Sequence, residues 1–443
     1  MSEDATLDEF VDEPAESQDT QERPIPDGWQ IARADEIMEI TRGASPRPKG
    51  DPELFGGDIP WVKIGDVDVK NARYTGETED TVTEKGSKKS KLVDSGTLLV
   101  SNSGTCGYPM FAGIESCVHD GWLILRDYEE SLNPHYLYEF INWKQEYLKS
   151  LAPGSTQINL NTSRFGVLEI NIPPLSEQRK IATVLHTVDR AIEKTEEIIE
   201  QVKKVKKGAM QELFNEGYYD HENKKDGTLR WQTVPASWKL PQLSELVDIN
   251  PSHDEVDCLA DYIPMDAVDT TLSDPQYIEK RNPSENSGRM FQKGDTLFAR
   301  ITPCTENGKI CFVNELESDV GIGSTEYAVL SPSHKILPKY LYHYTRTHPV
   351  RNYSISRMRG STGRQRVPFD VFRKELHIPL PSKEEQGAIV KCLDSFDHRI
   401  KTSQRCQAQL QRLKRGLMQD LLSGTVRTTD TNMEVPDEIT QHG

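Results

Sequence analysis

The apolar residues of this chain fall into two helical seams. Ile181, Leu185, Val188, Ile192, Ile199 and Val202 step by fours and threes, leaving only Thr195 polar, the spacing of a long helix that packs on another helix. Ile389, Leu393, Phe396, Ile400, Leu410 and Leu417 keep that register, weakened at Ser403 and Gln407. Laid over one another at an offset of 208, residues 177–214 and 385–422 match at Glu177/Glu385, Gln178/Gln386, Ile181/Ile389, Leu185/Leu393, Asp189/Asp397, Ile192/Ile400 and Gly208/Gly416. Each stretch would make a helix about 57 Å long at 1.5 Å per residue. Each copy is the natural partner of the other.

The repeat extends beyond the seams. Pro26-Asp27-Gly28-Trp29 opens the first ordered segment and Pro235-Ala236-Ser237-Trp238 its counterpart. Between Trp29 and Pro173, short β-like runs at 59–64 and 97–101, Gly/Pro-rich turns and a helix-like stretch at 134–151 predict a mixed α/β domain. The second half follows the same order: residues 294–300 echo 95–101, Lys339-Tyr340-Leu341-Tyr342 echoes His135-Tyr136-Leu137-Tyr138, and Gly154-Ser155-Thr156 recurs as Gly360-Ser361-Thr362. The predicted fold class is α+β, with two similar α/β domains, 24–173 and 217–380, each followed by a long helix, 174–216 and 381–424, between acidic tails at 1–23 and 425–443. Pro173-Pro174 and Pro379-Leu380-Pro381 hold the chain extended before each helix. Ser176 and Ser382 are the expected N-caps, Gly217 and Gly424 the C-terminal stops.

Composition narrows the setting. Seven cysteines without a Cys-x-x-Cys pair, no apolar run of membrane-spanning length and an acidic N-terminus point to a reducing cytoplasm. Cys304 and Cys311 flank a turn but lack a second pair of zinc ligands. The net charge of −17 argues against a polyanion partner until it is located: residues 1–23 hold nine acids and one base, residues 425–443 four acids and one base. Both tails lack apolar periodicity and read as disordered. The body carries the remaining charge of about −6.

Within that body, residues 335–374 contain ten Lys or Arg and a single acid, Asp370. Arg357, Arg359, Arg364 and Arg366 surround Gly360-Ser361-Thr362-Gly363, with Gln365 beside them; glycines allow close backbone approach to phosphate, and arginine forks fit phosphate or guanine. A solvated basic loop is the bland alternative, and the density of charge favours DNA contact. The tyrosines at 340, 342, 344 and 353 read as core. The matching loop of the first half, with Ser155, Thr156, Gln157 and Asn159, offers amides and hydroxyls suited to adenine, or is simply a structural corner. Arg42, Arg47 and Lys49 beside Pro46 and Pro48, and Arg300 and Lys309 around the turn at 302–307, complete the candidate DNA contacts. Lys85, Lys88, Lys89 and Lys91 fit phosphate positioning at most. No ATP phosphate loop, adenine-methylation motif, S-adenosylmethionine loop or metal-ligand set stands out, and Asp370 with Lys374 and Glu375 reads as surface. Chemistry is therefore expected in partners.

The stretches 170–185, 378–393, 294–310 and 413–427 closely resemble the specificity subunits of type I restriction-modification systems, and the resemblance runs from Trp29 to Arg427. It implies two target-recognition domains, each reading half of a split DNA sequence, and two helices paired as an antiparallel coiled coil with pseudo-twofold symmetry, setting the spacer and docking two methyltransferase subunits. It also implies S-adenosylmethionine in the methyltransferase, ATP and Mg in up to two restriction/translocase subunits, and no cofactor or catalysis in this chain. The rival expectation is a coiled-coil scaffold for proteins, with no DNA role.

Overall fold

The computed structural model describes residues 25–67, 72–151, 159–229, 232–253, 259–282, 288–361 and 363–440. The chain divides into two compact units, residues 1–191 with 410–443, and residues 192–409.

The first unit contains β1 (Gln30–Arg33), β2 (Glu39–Arg42), β3 (Phe55–Val62), β4 (Thr81–Val82), β5 (Lys91–Val93), β6 (Leu98–Ser101), β7 (Pro109–Phe111), β8 (Ser116–Val118), β9 (Trp122–Arg126) and β10 (Glu169–Ile172). One sheet runs β2-β9-β6-β7, a second β4-β3-β8-β5, and β1 pairs antiparallel with β10. The run Leu98-Leu99-Val100 has no polar alternation because both of its faces are covered. Leu98 and Val100 pack with Tyr136, Leu137, Phe140 and Ile141 of the helix Pro134–Trp143, and Leu99 packs with Val62, Val93 and Val118 of the second sheet.

The second unit repeats this plan with β11 (Lys224–Asp226), β12 (Thr233–Pro235), β13 (Val247–Ile249), β14 (Ala260–Ile263), β15 (Glu279–Arg281), β16 (Arg289–Phe291), β17 (Thr296–Ala299), β18 (Ile310–Phe312), β19 (Gly321–Gly323) and β20 (Tyr327–Pro332). Its sheets run β13-β20-β17-β18 and β15-β14-β19-β16, the same order element for element. Among the described strands each unit has one parallel pairing, β3 with β8 and β14 with β19. Phe298 faces Tyr340, Leu341 and Tyr344, while Leu297 faces Ile263 and Phe291. Tyr340, Tyr342 and Tyr344 are core residues, and Tyr353 is half-buried.

The two long helices are α1 (Leu175–Asn215) and α2 (Lys383–Leu422). Their N-terminal turns lock onto the domains by the same bonds in both units. Trp29 Nε1 donates to Glu177 (3.1 Å) and Trp238 Nε1 to Glu385 (3.0 Å). Gln178 accepts from the Asn133 amide and Gln386 from the Leu337 amide. Tyr136 donates to the Asn171 carbonyl and Tyr340 to that of Pro379, both at 2.7 Å. These bonds give physical content to the repeated Trp, Glu-Gln and Tyr positions.

Seam residues Ile181, Leu185, Ile199, Ile389, Leu393 and Ile400 are buried, and Val188, Ile192, Val202, Phe396, Leu410 and Leu417 half-buried. Within the first unit the start of α1 packs on the end of α2, and Lys414 pairs with Asp189 (2.6 Å). Within the second, the end of α1 packs near the start of α2, and Lys206 pairs with Asp397. In each unit the two helix segments are therefore antiparallel. Lys206 and Lys414 are themselves related by the 208-residue offset, so both pairs are one interaction made twice.

Three expectations need correction. Ser382 caps α2, accepting from the Glu385 amide (3.2 Å), but Ser176 lies inside α1, which begins at Leu175 with the Pro174 carbonyl accepting from Glu177 and Gln178. At the repeat offset Ser382 aligns with Pro174, so register, and not residue type, places the cap. The stretch 134–151 is two helices, Pro134–Trp143 and Gln145–Ser150, broken where Lys144 adopts ψ 9°. The acidic C-terminal segment is ordered over 425–440: Ile439 is fully buried, Arg427 pairs with Glu177 (2.8 Å) and Glu438 with His186 (2.9 Å). Val435 also packs on the core, Lys180 donates to the Thr428 and Thr429 carbonyls and Asn133 to the Ile439 carbonyl, so specific contacts hold a segment whose average composition reads as solvated. The first acidic tail lies outside the described residues. Gly217 and Gly424 stand just past the helix ends with φ of 93° and 79°.

Candidate nucleic-acid interface

Both units build the same seat at the end of their central strand. In the second unit the chain leaving β17 at Ala299 passes Arg300, and the loop carrying the glycines returns alongside it. Val367 N donates to the Arg300 carbonyl (2.8 Å), Thr302 N to the Gln365 carbonyl (3.0 Å), and Ile301 bridges to Arg366. Arg359 and Arg366 exchange both backbone bonds (3.0 and 2.9 Å), so Arg366 is paired on two sides. In the first unit the chain leaving β6 at Ser101 passes Asn102; Leu160 N donates to the Asn102 carbonyl (2.8 Å) and Ser103 bridges to Asn159. Arg300 thus corresponds to Asn102, and Arg366 to Asn159.

The charges around the second seat are unevenly committed. The Arg366 guanidinium grips Glu326, Nε at 3.0 and 2.9 Å from the two oxygens and Nη2 at 2.6 Å. That pairing, followed by burial acting the other way and the charges of Arg366, Arg300 and Arg289, leaves the Glu326 carboxyl below its usual range. Arg300 lies 4.0 Å from the centre of the Phe369 ring, with Arg289 at 5.3 Å and Arg373 at 5.7 Å. Burial first, then the neighbouring Arg366 and Arg289 against the opposing charge of Glu326, pulls the Arg300 pKa down. Three guanidinium groups on one phenyl ring make a patch that favours an anion.

Other candidates have internal roles. Arg357 pairs with Glu375 (3.0 Å) and donates to the Tyr353 hydroxyl (2.9 Å). Lys309 is turned inward, donating to the Met265 carbonyl (2.8 Å). Arg359, Ser361, Arg364 and Gln365 are exposed, while Thr362 lies outside the described residues.

The first seat is organised by Asp120. Ser45 donates to it (2.7 Å), His119 Nε2 lies 3.0 Å away, and Arg42 donates through Nε to its carbonyl (2.6 Å), with Nη2 at 3.8 Å from the carboxylate. Burial works to raise this carboxyl, but Ser45, His119 and Arg42 prevail and hold it low. His119 is pushed down by burial, with Asp120 opposing and Lys49, Arg47 and Lys63 adding to the shift. Asn102, fully buried, donates to the Asp120 carbonyl (3.0 Å), joining the Arg42 and Arg47 cluster to the Asn159 bridge. Lys89 reaches the Arg47 carbonyl (3.2 Å). Asn159 is exposed; Ser155, Thr156 and Gln157 lie outside the described residues.

Sequence reasoning missed Asn102, Asp120, His119, Arg289, Glu326 and Phe369. Asn102 and Arg300 stand one residue past corresponding strands, but the echo of 95–101 in 294–300 sets Arg300 on Ser101, one residue out of the structural register; the others lie far along the chain from their partners, and nothing marked them. Among the described residues one group has metal-ligand proximity, His343, Asp394 and Asp397. Lys339 already pairs with Asp394 (2.7 Å) and Lys206 with Asp397, so ammonium groups occupy the carboxylates. The two seats present hydrogen-bond donors and positive charge, the equipment for holding phosphates and base edges.

The family model of the type I restriction modification DNA specificity domain matches this chain twice, over residues 26–204 and 236–412. The chain belongs to this family. The specificity subunit of the Methanocaldococcus jannaschii type I enzyme MjaVIII is 23% identical over 421 residues, covering 92% of this chain and 95% of its own. That of MjaIX, from the same organism, is 30% identical over 239 residues, covering 51% of this chain and 53% of its own. The S subunit from M. genitalium shares the fold of this specificity subunit with TM-score 0.54 and 16% identity, over 92% of this chain and 97% of that one. The specificity subunit is a DNA-recognition protein and not an enzyme. No helix among its described residues is long and apolar enough to cross a membrane.

Proposed function

We propose that each unit reads one half of a bipartite DNA sequence through its strand-end seat, and that α1 and α2 set the number of base pairs between the halves. One observation carries this reading: a single backbone seat occurs in both units, filled by Asn102 and Asn159 in one and by Arg300 and Arg366 in the other. Asn102 is buried and holds the seat; the exposed Asn159 suits adenine and Arg366 suits guanine, so one scaffold furnishes two different readers. Two methyltransferase subunits dock on the helices and bring S-adenosylmethionine, and restriction/translocase subunits, where present, bring ATP and Mg. All act on DNA in the cytoplasm. A solved structure that shares this fold, with TM-score 0.56 and 17% identity over 91% of this chain, concerns complex assembly and conformational transition of a type I restriction-modification system.

Genome-wide mapping of methylated adenines, with and without this chain beside its methyltransferase, tests the reading. A split motif that appears only with the chain is expected; an unchanged pattern returns the scaffold reading. Inserting about one helical turn after Ala191 should lengthen the spacer and leave both half-sites unaltered.

A further inference from the structure

We propose that Arg366 reads a guanine by its outer edge and that Glu326 is the positioning residue that aims it. This rests on the DNA-reading role just proposed and goes further by assigning one base to one side chain. A guanidinium carries five N–H donors in a plane. Arg366 gives its Nε edge to Glu326, through Nε and one hydrogen of Nη2. What remains is the outer edge, with one N–H from each terminal nitrogen parallel to the other. Those two donors match the O6 and N7 acceptors of guanine in the major groove.

Two further observations separate base reading from phosphate binding. The first is charge. Arg366 is already neutralised by the Glu326 carboxylate, which would lie close to any phosphate taken by the same guanidinium and repel it; a base edge is neutral and carries no such penalty. Arg359 and Arg364, exposed and without a carboxylate partner among the described residues, are suited to phosphate instead. The second is rigidity. Arg366 is clamped by Arg359 on one side and bridges to Ile301 on the other, and its side chain is 41% exposed while that of Glu326 is 22% exposed. A reader needs a fixed base and an accessible tip, and both are present. Glu326 is fixed in turn, its amide donating to Ser324 (3.2 Å) and its carbonyl accepting from the Arg300 amide (3.0 Å).

The test uses the full chain in complex with its methyltransferase, reading methylated sequence genome-wide and binding to the mapped target across a salt series. In Arg366→Ala, one G·C position in one half-site should lose discrimination by roughly 5- to 150-fold with the other half-site unchanged, and in Arg366→Ala with Glu326→Gln, which removes both charges of the pair, the salt slope should stay that of the wild type. Arg366→Lys, which keeps the charge but not the fork, should relax the same position; it supplies the readout if the alanine variant fails to assemble. Glu326→Gln should partly relax that position while steepening the salt dependence, because it frees a positive charge. Unaltered half-sites in all three single variants would leave the pair a structural tie and overturn the proposal. So would a salt slope lowered by nearly one unit in the double variant Arg366→Ala with Glu326→Gln, the mark of a phosphate contact, or a relaxed position that is A·T. Loss of the DNA-reading role would show differently, as a wild-type complex with no split motif at all.

Discussion

The two units share one topology and differ where it ends. In the second, the residues at the strand-end seat are arginines, Arg300 lying on Phe369 and Arg366 balanced by Glu326; in the first they are asparagines, with cations set back around Asp120 and His119. The sheets, the Trp–Glu lock and the Tyr–carbonyl bond are the same in both. A duplicated scaffold can therefore diverge in what it reads without diverging in how it folds, because the reading residues hang from backbone bonds that any side chain permits.

The helix pairs give the largest expected contrast. Lys206 and Asp397 are both nearly fully buried, whereas Lys414 and Asp189 are half-buried and Arg73 stands 3.9 Å from Asp189. Lys206→Ala should cost about 3–5 kcal/mol by stranding a buried carboxylate, and Lys414→Ala about 1–3 kcal/mol. Equal losses in urea unfolding would erase the distinction.

Next comes the lock on α1. Burial raises the Glu177 carboxyl, but Arg427, the Thr428 amide and Trp29 outweigh it, so its folded pKa lies below the ordinary 4.5. A depressed carboxylate contributes stability that is complete above the unfolded value and lost as pH falls through the folded one. Glu177→Gln should cost roughly 1.5–3 kcal/mol near neutral pH and flatten the acid limb below about pH 4.5. An acid limb as steep as that of the wild type would remove Glu177 from the linkage.

The readers themselves differ by base. Asn159→Ala should relax an adenine position in one half-site by roughly 5- to 150-fold and leave alone the half affected by Arg366→Ala. Methylation mapping that moved both halves together would end the two-reader comparison. The smallest effect is expected at phosphate contacts: replacing Arg359 and Arg364 with Ala should lower the salt slope by about 1.8 units, and Arg47→Ala by about 0.9, with the recognised sequence intact. Unchanged slopes in a binding titration would place these residues off the DNA.

Local pattern made much of this legible. The seams, the proline entries and the glycine stops follow from helical periodicity and backbone restriction, which act over a few residues. Composition averages over the length of the C-terminal segment, while its order rests on Ile439 and Val435 and on the partners Glu177, Lys180, Asn133 and His186. Arg357 and Lys309 looked free for DNA because Glu375 and the Met265 carbonyl, which engage them, lie 18 and 44 residues away in sequence.

By itself the sequence determined that there are two copies of one plan, each an α/β domain followed by a long amphipathic helix, because repeats and periodicity are carried by neighbouring residues. Only the tertiary structure decided which cations are available and how they are aimed. A guanidinium's role depends on the carboxylates and rings that reach it in space, and Arg366 meets Glu326, and Arg300 meets Phe369, only when the strands and the returning loop are in place.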